Sequence, residues 1–148
     1  EDGRKRPPNP QAQLLQQWRE VHTQVRQRVA GPVAIGGKSM GGRMASLLAD
    51  ELGASKLICL GYPFYAAGKP EKPRVAHLAE LRTPTLIIHS SDDPFVSSHS
   101  LPTARELSPQ TRFELHDRGG HVGFVDGSLR NPGYYLERRI PQWLVDGS

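Results

Sequence analysis

The sequence predicts an α/β fold: a mostly parallel sheet of about four strands with helices on both of its faces. Two observations lead to this prediction. Apolar runs of strand length alternate with segments of helical periodicity along most of the 148 residues, as in chains built from strand–helix–strand units. The apolar runs are continuous, which is typical of parallel strands that are buried on both faces.

The first helix is predicted over residues 11–29, and Gly31-Pro32 ends it. A short buried strand follows in VAIGG, residues 33–37, and a second helix is expected over residues 40–52, before the stop signal Gly53. The residues that form the apolar face of the first helix recur at spacings of three and four: Leu14, Trp18, Val21, Val25 and Val29.

Three further strands are predicted in the runs KLICLGYP, TPTLIIHSSDDP, which runs into an acidic turn, and TRFELHD. Short helices are expected at 75–82 and 101–109, and residues 64–74 read as a loop rich in turn residues. A closing helix is predicted over residues 132–145, with Pro141 inside it. The side chains expected to pack this helix against the sheet are Tyr135, Ile140, Trp143 and Leu144. We interpret residues 1–10 as a polar, Pro-rich arm and residues 11–148 as one domain.

Composition argues against several classes of partner. The net charge is +4, but the basic residues lie in separate groups without interleaved aromatic residues, so we expect no nucleic-acid site. No apolar run approaches the roughly 18 residues of a membrane span. The single cysteine, Cys59, lies in an apolar strand and reads as a buried thiol, which fits a cytoplasmic setting. No Cys/His cluster has zinc spacing, so we expect no metal.

The stretch from Gly37 to Gly41, with Ser39 at its centre, fits the pattern G-x-S-x-G. This pattern alone is weak, but here it follows a predicted strand and opens a predicted helix. That is the context of a nucleophile elbow, the sharp turn that exposes a reactive serine. Gly37 and Gly41 would then be small to avoid a collision, and the backbone N–H of Met40 would stabilise an oxyanion. The alternative is a glycine-rich turn that only packs tightly or binds phosphate.

A serine nucleophile needs a histidine base and an orienting carboxylate, which follow it in the order acid, then histidine, in this type of fold. His121 stands in the glycine-containing loop RGGHVGF after the last predicted strand, where the base belongs. The other histidines are less favourable, because they precede the serine or lie within or beside other predicted elements: His22, His77, His89, His99 and His116.

The acid is expected after the strand TPTLIIHS, at the carboxyl end where α/β sheets build their sites. Asp92 and Asp93 follow that strand directly, and we favour Asp93 because Pro94 fixes the turn beside it. The alternative for this pair is a turn or capping role. Asp117 and Asp126 flank His121 and are weaker candidates.

These motifs resemble the α/β-hydrolase superfamily. GGKSMGGRMASLLADE and LGYPFYAAGKPEKPRVAHLAELRTPTLI, within residues 1–88, resemble the dienelactone-hydrolase-like, testis-expressed-30-type family. SDDPFV, GGHVGFV and YLERRIPQWL, within residues 89–145, resemble the YheT-type esterase family. The switch would fall near residues 87–90, which leaves open a recombined, an engineered or a divergent chain.

The resemblance implies the C-terminal half of an α/β-hydrolase fold and a triad of Ser39, Asp93 and His121. It implies hydrolysis of small esters or related acyl compounds, without a cofactor. Only 38 residues precede Ser39, so the strands that come before the elbow in a complete hydrolase, and a second oxyanion donor, are expected to be missing. Activity would then be weak. The alternative is a catalytically silent interaction or structural module.

The first predicted strand would lack the neighbour that it has in a complete hydrolase. Its residues carry no Lys or Pro at positions 33–36 that would block pairing with another chain. We therefore expect a homo-oligomer that forms through this strand edge.

Overall fold

The computed structural model describes residues 10–66, 69–73, 75–96, 101–122, 124–128 and 131–147, so most of the predicted arm lies outside it. The described residues form three sheets, of which the largest has four strands. In chain order, the strands are β1 (Ile35–Lys38), β2 (Leu57–Leu60), β3 (Tyr65–Ala66), β4 (Lys69–Pro73), β5 (Thr85–Ser90), β6 (Thr111–His116), β7 (Val125–Ser128) and β8 (Asn131–Tyr134).

The main sheet has the order β1-β2-β5-β6, and all three of its strand pairs are parallel. Because every connection returns to the same end, the carboxyl ends of the four strands meet at one edge of the sheet. The predicted parallel sheet of about four strands is therefore confirmed. The predicted site residues follow three of these strands.

Helices cover both faces of this sheet, as predicted. They are α1 (Pro10–Arg28), α2 (Met40–Leu48) and α3 (Tyr135–Asp146), with short 3-10 helices at Ala76–Glu80 and Ala104–Glu106. Successive residues of β2 alternate between two apolar cores: Cys59 packs with Ala45 of α2, and Ile58 packs with Trp143 of α3. Cys59 is fully buried, as the sequence predicted.

The predicted packing of α1 is only partly correct. Trp18 contacts the core on the α2 side, but Leu14, Val21 and Val29 are exposed. An ion pair also holds helix α1 in place: Arg19 lies 2.7 Å from the carboxylate of Glu51, three residues after the end of α2. The helix therefore leaves three of the five residues in its predicted apolar stripe exposed.

Two antiparallel hairpins, β3-β4 and β7-β8, stand where no strand was predicted. The second one also shortens the closing helix, which begins at Tyr135 rather than at residue 132. In α3, Trp143 is buried and Leu144 is 39% exposed, so the prediction for Leu144 is wrong. Arg139 is buried in this helix instead, where its guanidinium pairs with Glu114 of β6.

Candidate active site

Ser39 occupies the turn between β1 and α2, in a backbone conformation that a serine rarely adopts. Its φ is 51° and its ψ is −124°, outside the regions that are comfortable for a residue with a Cβ. Its N–H donates a 2.7 Å hydrogen bond to the carbonyl of Leu60 at the end of β2. This contact fixes the strained turn against the neighbouring strand. Strain of this kind is concentrated at functional sites.

The expected need for small residues holds at Gly37 and not at Gly41. A Cβ on Gly37 would lie 2.5 Å from the backbone carbon of Gly41, whereas a Cβ on Gly41 would have no atom within 4 Å. The second crowded position is Gly42, whose Cβ would lie 2.7 Å from the carbonyl oxygen of Gly37. The strand and the helix therefore touch through Gly37 and Gly42, one residue later than predicted.

Met40 is the first residue of α2. Its N–H is one of those that have no partner within the helix, and it lies at the end of the helix where partial positive charge accumulates. This amide directly follows Ser39 in the chain, at the start of α2.

Asp93 and His121 are in direct contact. His121 Nδ1 lies 2.7 Å from Asp93 Oδ2, and the Asp93 side chain is fully buried. The other carboxylate oxygen of Asp93 accepts a 2.8 Å hydrogen bond from the N–H of Phe95. With both oxygens engaged, the carboxylate is held in one orientation and the imidazole presents Nε2 on its opposite side.

Asp92, the neighbouring carboxylate, points elsewhere. It is exposed, and its Oδ1 accepts a 2.9 Å hydrogen bond from the N–H of Gly120. This contact, more than any other, holds the pKa of Asp92 below its usual range. The two adjacent carboxylates therefore contact different parts of the same loop. Asp93 contacts the ring of His121, and Asp92 accepts a hydrogen bond from the backbone N–H of the preceding residue.

Gly61 connects the two halves of the site. It follows Leu60, the acceptor of the Ser39 N–H, and a Cβ on Gly61 would lie 3.2 Å from Cε1 of His121. The imidazole thus packs against the chain segment that supports Ser39. Within the described residues, no hydrogen bond joins the Ser39 hydroxyl to His121; such contacts often tighten only when substrate is bound.

A second serine–histidine pair lies away from this edge. Ser46, inside α2, is 2.8 Å from Nε2 of His77. The Ser46 hydroxyl is also 2.6 Å from the carbonyl oxygen of Arg43, to which it donates its proton. The hydroxyl therefore accepts from the imidazole. Burial lowers the pKa of His77 to about 4, so this pair is a neutral contact beneath the helix.

Among the described residues, the other histidines form no hydrogen bond with Asp93. His22 lies on α1, and His116 packs its ring against Phe124 and Tyr135. His89 is fully buried between the rings of Phe64 and Phe113; burial lowers its pKa. His99 lies outside the described residues.

Two residues at the site were missed by the sequence analysis. Phe95 is 78% exposed, and its ring meets the His121 ring edge-on at a centroid distance of 5.0 Å. The sequence indicated it only by its position two residues after Asp93, where a backbone N–H commonly donates a hydrogen bond to the aspartate carboxylate. Gly61, with φ +59°, was visible only as a lone glycine at the end of a strand.

Neither a metal centre nor a membrane span is found in the part of the chain that the structure describes. Its residues contain no group of three or more His, Cys, Asp or Glu side chains that could hold a metal ion. Among its helices, none combines the length and the apolar character that crossing a bilayer requires.

A parallel sheet that carries a serine at a strained strand–helix turn and a buried Asp–His pair at the same edge defines the class of α/β hydrolases. A family model described as an alpha/beta hydrolase domain matches residues 1–126. The chain belongs to this family. The match extends over both sides of the switch predicted near residues 87–90.

Individual relatives agree with this assignment. The chain is 48% identical over 68 residues to "Putative esterase YheT" of Escherichia coli (strain K12), and the match covers 46% of the chain and 20% of that protein. It is 32% identical over 83 residues to phospholipase ABHD3 of Homo sapiens, which covers 55% of the chain and 19% of that protein. The matches thus span about a fifth of the length of these curated relatives.

The fold is also seen in solved structures. An alpha-beta serine hydrolase homologue from Coxiella burnetii superposes with a TM-score of 0.66 and 16% identity, over 84% of this chain and 57% of that chain. At this identity the likeness establishes the fold.

Proposed function

We propose that this chain is a serine hydrolase that cleaves carboxylic esters or related acyl compounds. Ser39 is the nucleophile, His121 the general base, Asp93 the residue that orients the histidine, and the Met40 N–H the oxyanion donor. One observation carries the proposal: the 2.7 Å contact between His121 Nδ1 and the buried Asp93 carboxylate lies at the edge of the sheet where Ser39 adopts its strained turn. No cofactor is required.

The chemistry follows from this arrangement. His121 Nε2 accepts the proton of the Ser39 hydroxyl as Oγ attacks the ester carbonyl. The buried Asp93 carboxylate stabilises the imidazolium that forms. The N–H of Met40 donates to the oxyanion of the tetrahedral intermediate, the alcohol leaves with the proton from His121, and an acyl group remains on Ser39. Water, deprotonated by His121, then releases the acid.

The ester class rests on the relatives. The curated matches bear the names of an esterase and a phospholipase, both of which describe cleavage of ester bonds. The chain covers only a fifth of those proteins, and removing one oxyanion donor typically costs about 10²- to 10³-fold in rate. We therefore propose small esters as the substrates, and a second oxyanion donor beside the Met40 N–H would raise the rate by that factor.

The proposal is tested by turnover of a short p-nitrophenyl ester. We expect slow hydrolysis that the Ser39→Ala variant loses and that the Ser46→Ala variant keeps, since Ser46 donates its proton to a backbone carbonyl. Equal turnover by the wild type and Ser39→Ala would exclude Ser39 as the nucleophile. Absence of turnover together with absence of covalent labelling at Ser39 would favour the silent interaction module.

We also propose that residues 11–148 form one partial hydrolase domain, which associates with itself through β1. Both apolar cores share the same four-stranded sheet. Strand β1 stands at an edge of that sheet, although it spans Ile35–Lys38 rather than residues 33–37 and therefore includes a lysine. Sedimentation at micromolar concentration should show a dimer or a larger species; a monomer throughout would refute the association.

The buried, unpaired thiol of Cys59 supports a cytoplasmic location.

A further inference from the structure

The loop that carries His121 is held from two sides, and only one contact involves the imidazole. Gly119 and Gly120 precede His121 with φ values of +154° and +57°. Glycines populate these conformations and their alternatives with little cost, so the segment has low intrinsic preference for one geometry. Something other than local propensity must set the position of His121.

Hydrogen bonds from the turn after β5 supply that restraint. The N–H of Gly120 donates to Asp92 Oδ1 at 2.9 Å, and the Ser90 hydroxyl donates to the carbonyl of Gly120. The peptide groups on both sides of Gly120 are therefore tied to residues 90–92. The acceptor at Asp92 is ionised at neutral pH, since its pKa lies below the usual range, and an ionised acceptor strengthens the bond.

We propose that Asp92 is a positioning residue for His121, acting through the peptide N–H of Gly120. This inference rests on the proposed function of His121 as the general base. The turn after β5 then uses its two adjacent carboxylates for different tasks: Asp93 orients the ring, and Asp92 fixes the backbone from which the ring projects. A reacting group displaced by about 1 Å can lose roughly a hundredfold in rate, so a backbone contact of this kind matters to the chemistry.

Three variants test the proposal. Asp92→Ala removes the acceptor; Asp92→Asn keeps a carbonyl oxygen at the same place without the charge. Asp117→Ala is the matched control, because Asp117 is an exposed carboxylate near the same loop whose side chain makes none of these contacts, only its backbone carbonyl accepting a bond from Ser91. The rate of fluorophosphonate labelling at Ser39 should fall roughly tenfold to a hundredfold in Asp92→Ala. It should recover most of the way in Asp92→Asn and stay unchanged in Asp117→Ala.

A second readout does not depend on activity. The proton on Nδ1 of His121, shared with Asp93, should give a downfield proton NMR signal that His121→Ala lacks. We expect Asp92→Ala to broaden or shift this signal while the thermal unfolding midpoint stays close to the wild-type value. An unchanged signal in Asp92→Ala would overturn the positioning role, as would a wild-type labelling rate. If the wild type is not labelled at all but Asp92→Ala still broadens or shifts the His121 signal, only the proposed function is refuted.

Discussion

The contact between strand β1 and helix α2 makes a sharp prediction for two glycines of the same motif. In Gly37→Ala, the new methyl group would lie 2.5 Å from the backbone carbon of Gly41 and 2.7 Å from the backbone nitrogen of Gly42. These atoms belong to the first turn of α2, which cannot yield as a flexible side chain would. In Gly41→Ala, the methyl group would meet nothing within 4 Å.

The magnitudes follow from these distances. Overpacking against a fixed backbone costs about 1–3 kcal/mol, and we expect Gly37→Ala to lie at the upper end of that range. At a few degrees per kcal/mol for a chain of this size, its unfolding midpoint should fall by roughly 5–10 °C. Gly41→Ala should gain up to about 0.5 kcal/mol, because alanine favours a helix more than glycine does.

Thermal unfolding followed by circular dichroism measures both variants side by side. Since α2 carries the Met40 amide, the helix shift in Gly37→Ala should also slow covalent labelling of Ser39. Equal midpoints for the two variants would refute the reasoning. So would a larger loss of stability in Gly41→Ala, which would mean that the strand and the helix meet where the sequence pattern had placed the contact.

Three other perturbations have defined outcomes. Asp93→Asn should slow labelling of Ser39 more than Asp92→Asn does, since only Asp93 contacts the imidazole; a larger loss in Asp92→Asn would reverse the assignment. Folding lowers the pKa of His77 to about 4, so the unfolded chain binds the proton more readily and stability should fall as the pH drops from about 6.5 to about 4. In urea titrations, the stability of His77→Gln should depend less on pH over this range than that of the wild type. An unaltered pH profile of stability would contradict the lowered pKa of His77. Arg139→Ala leaves the carboxylate of Glu114 without its buried partner and should lower the free energy of unfolding by about 3 kcal/mol. A loss below about 0.5 kcal/mol would show that water takes the place of the guanidinium.

The two central strands of the main sheet, β2 and β5, were predictable because they are buried on both faces. Such strands read as continuous apolar runs, and Leu57–Leu60 and Thr85–Ser90 are of this kind. The hairpins were not predictable, because segments such as KPEKP and NPGY contain the prolines and glycines of a loop and lack the alternation of apolar and polar residues that predicts a strand. For helix α1 the helix itself was predicted correctly, but its packing was not, because neighbouring elements cover only part of its apolar stripe.

At the candidate site, the sequence predicted three residues, and the structure brings two of them, Asp93 and His121, into direct contact. Ser39, Asp93 and His121 were visible because each follows a predicted strand in the expected order. That only one of the two adjacent aspartates faces the histidine was expected, but the hydrogen bond from the Gly120 N–H to Asp92 was not visible, since the backbone of the turn decides where the second carboxylate points. The crowding at Gly42 was hidden for the same reason: it depends on how closely α2 approaches β1.

The central claim is that the Asp93–His121 pair activates Ser39, and covalent labelling with a fluorophosphonate tests it most directly because no particular substrate is needed. Intact mass should increase by one adduct, and peptide mapping should place it on the peptide that contains Ser39. The adduct should be absent from Ser39→Ala and His121→Ala and present in Ser46→Ala. An adduct that persists in Ser39→Ala, or one that maps to Ser46, would contradict the account.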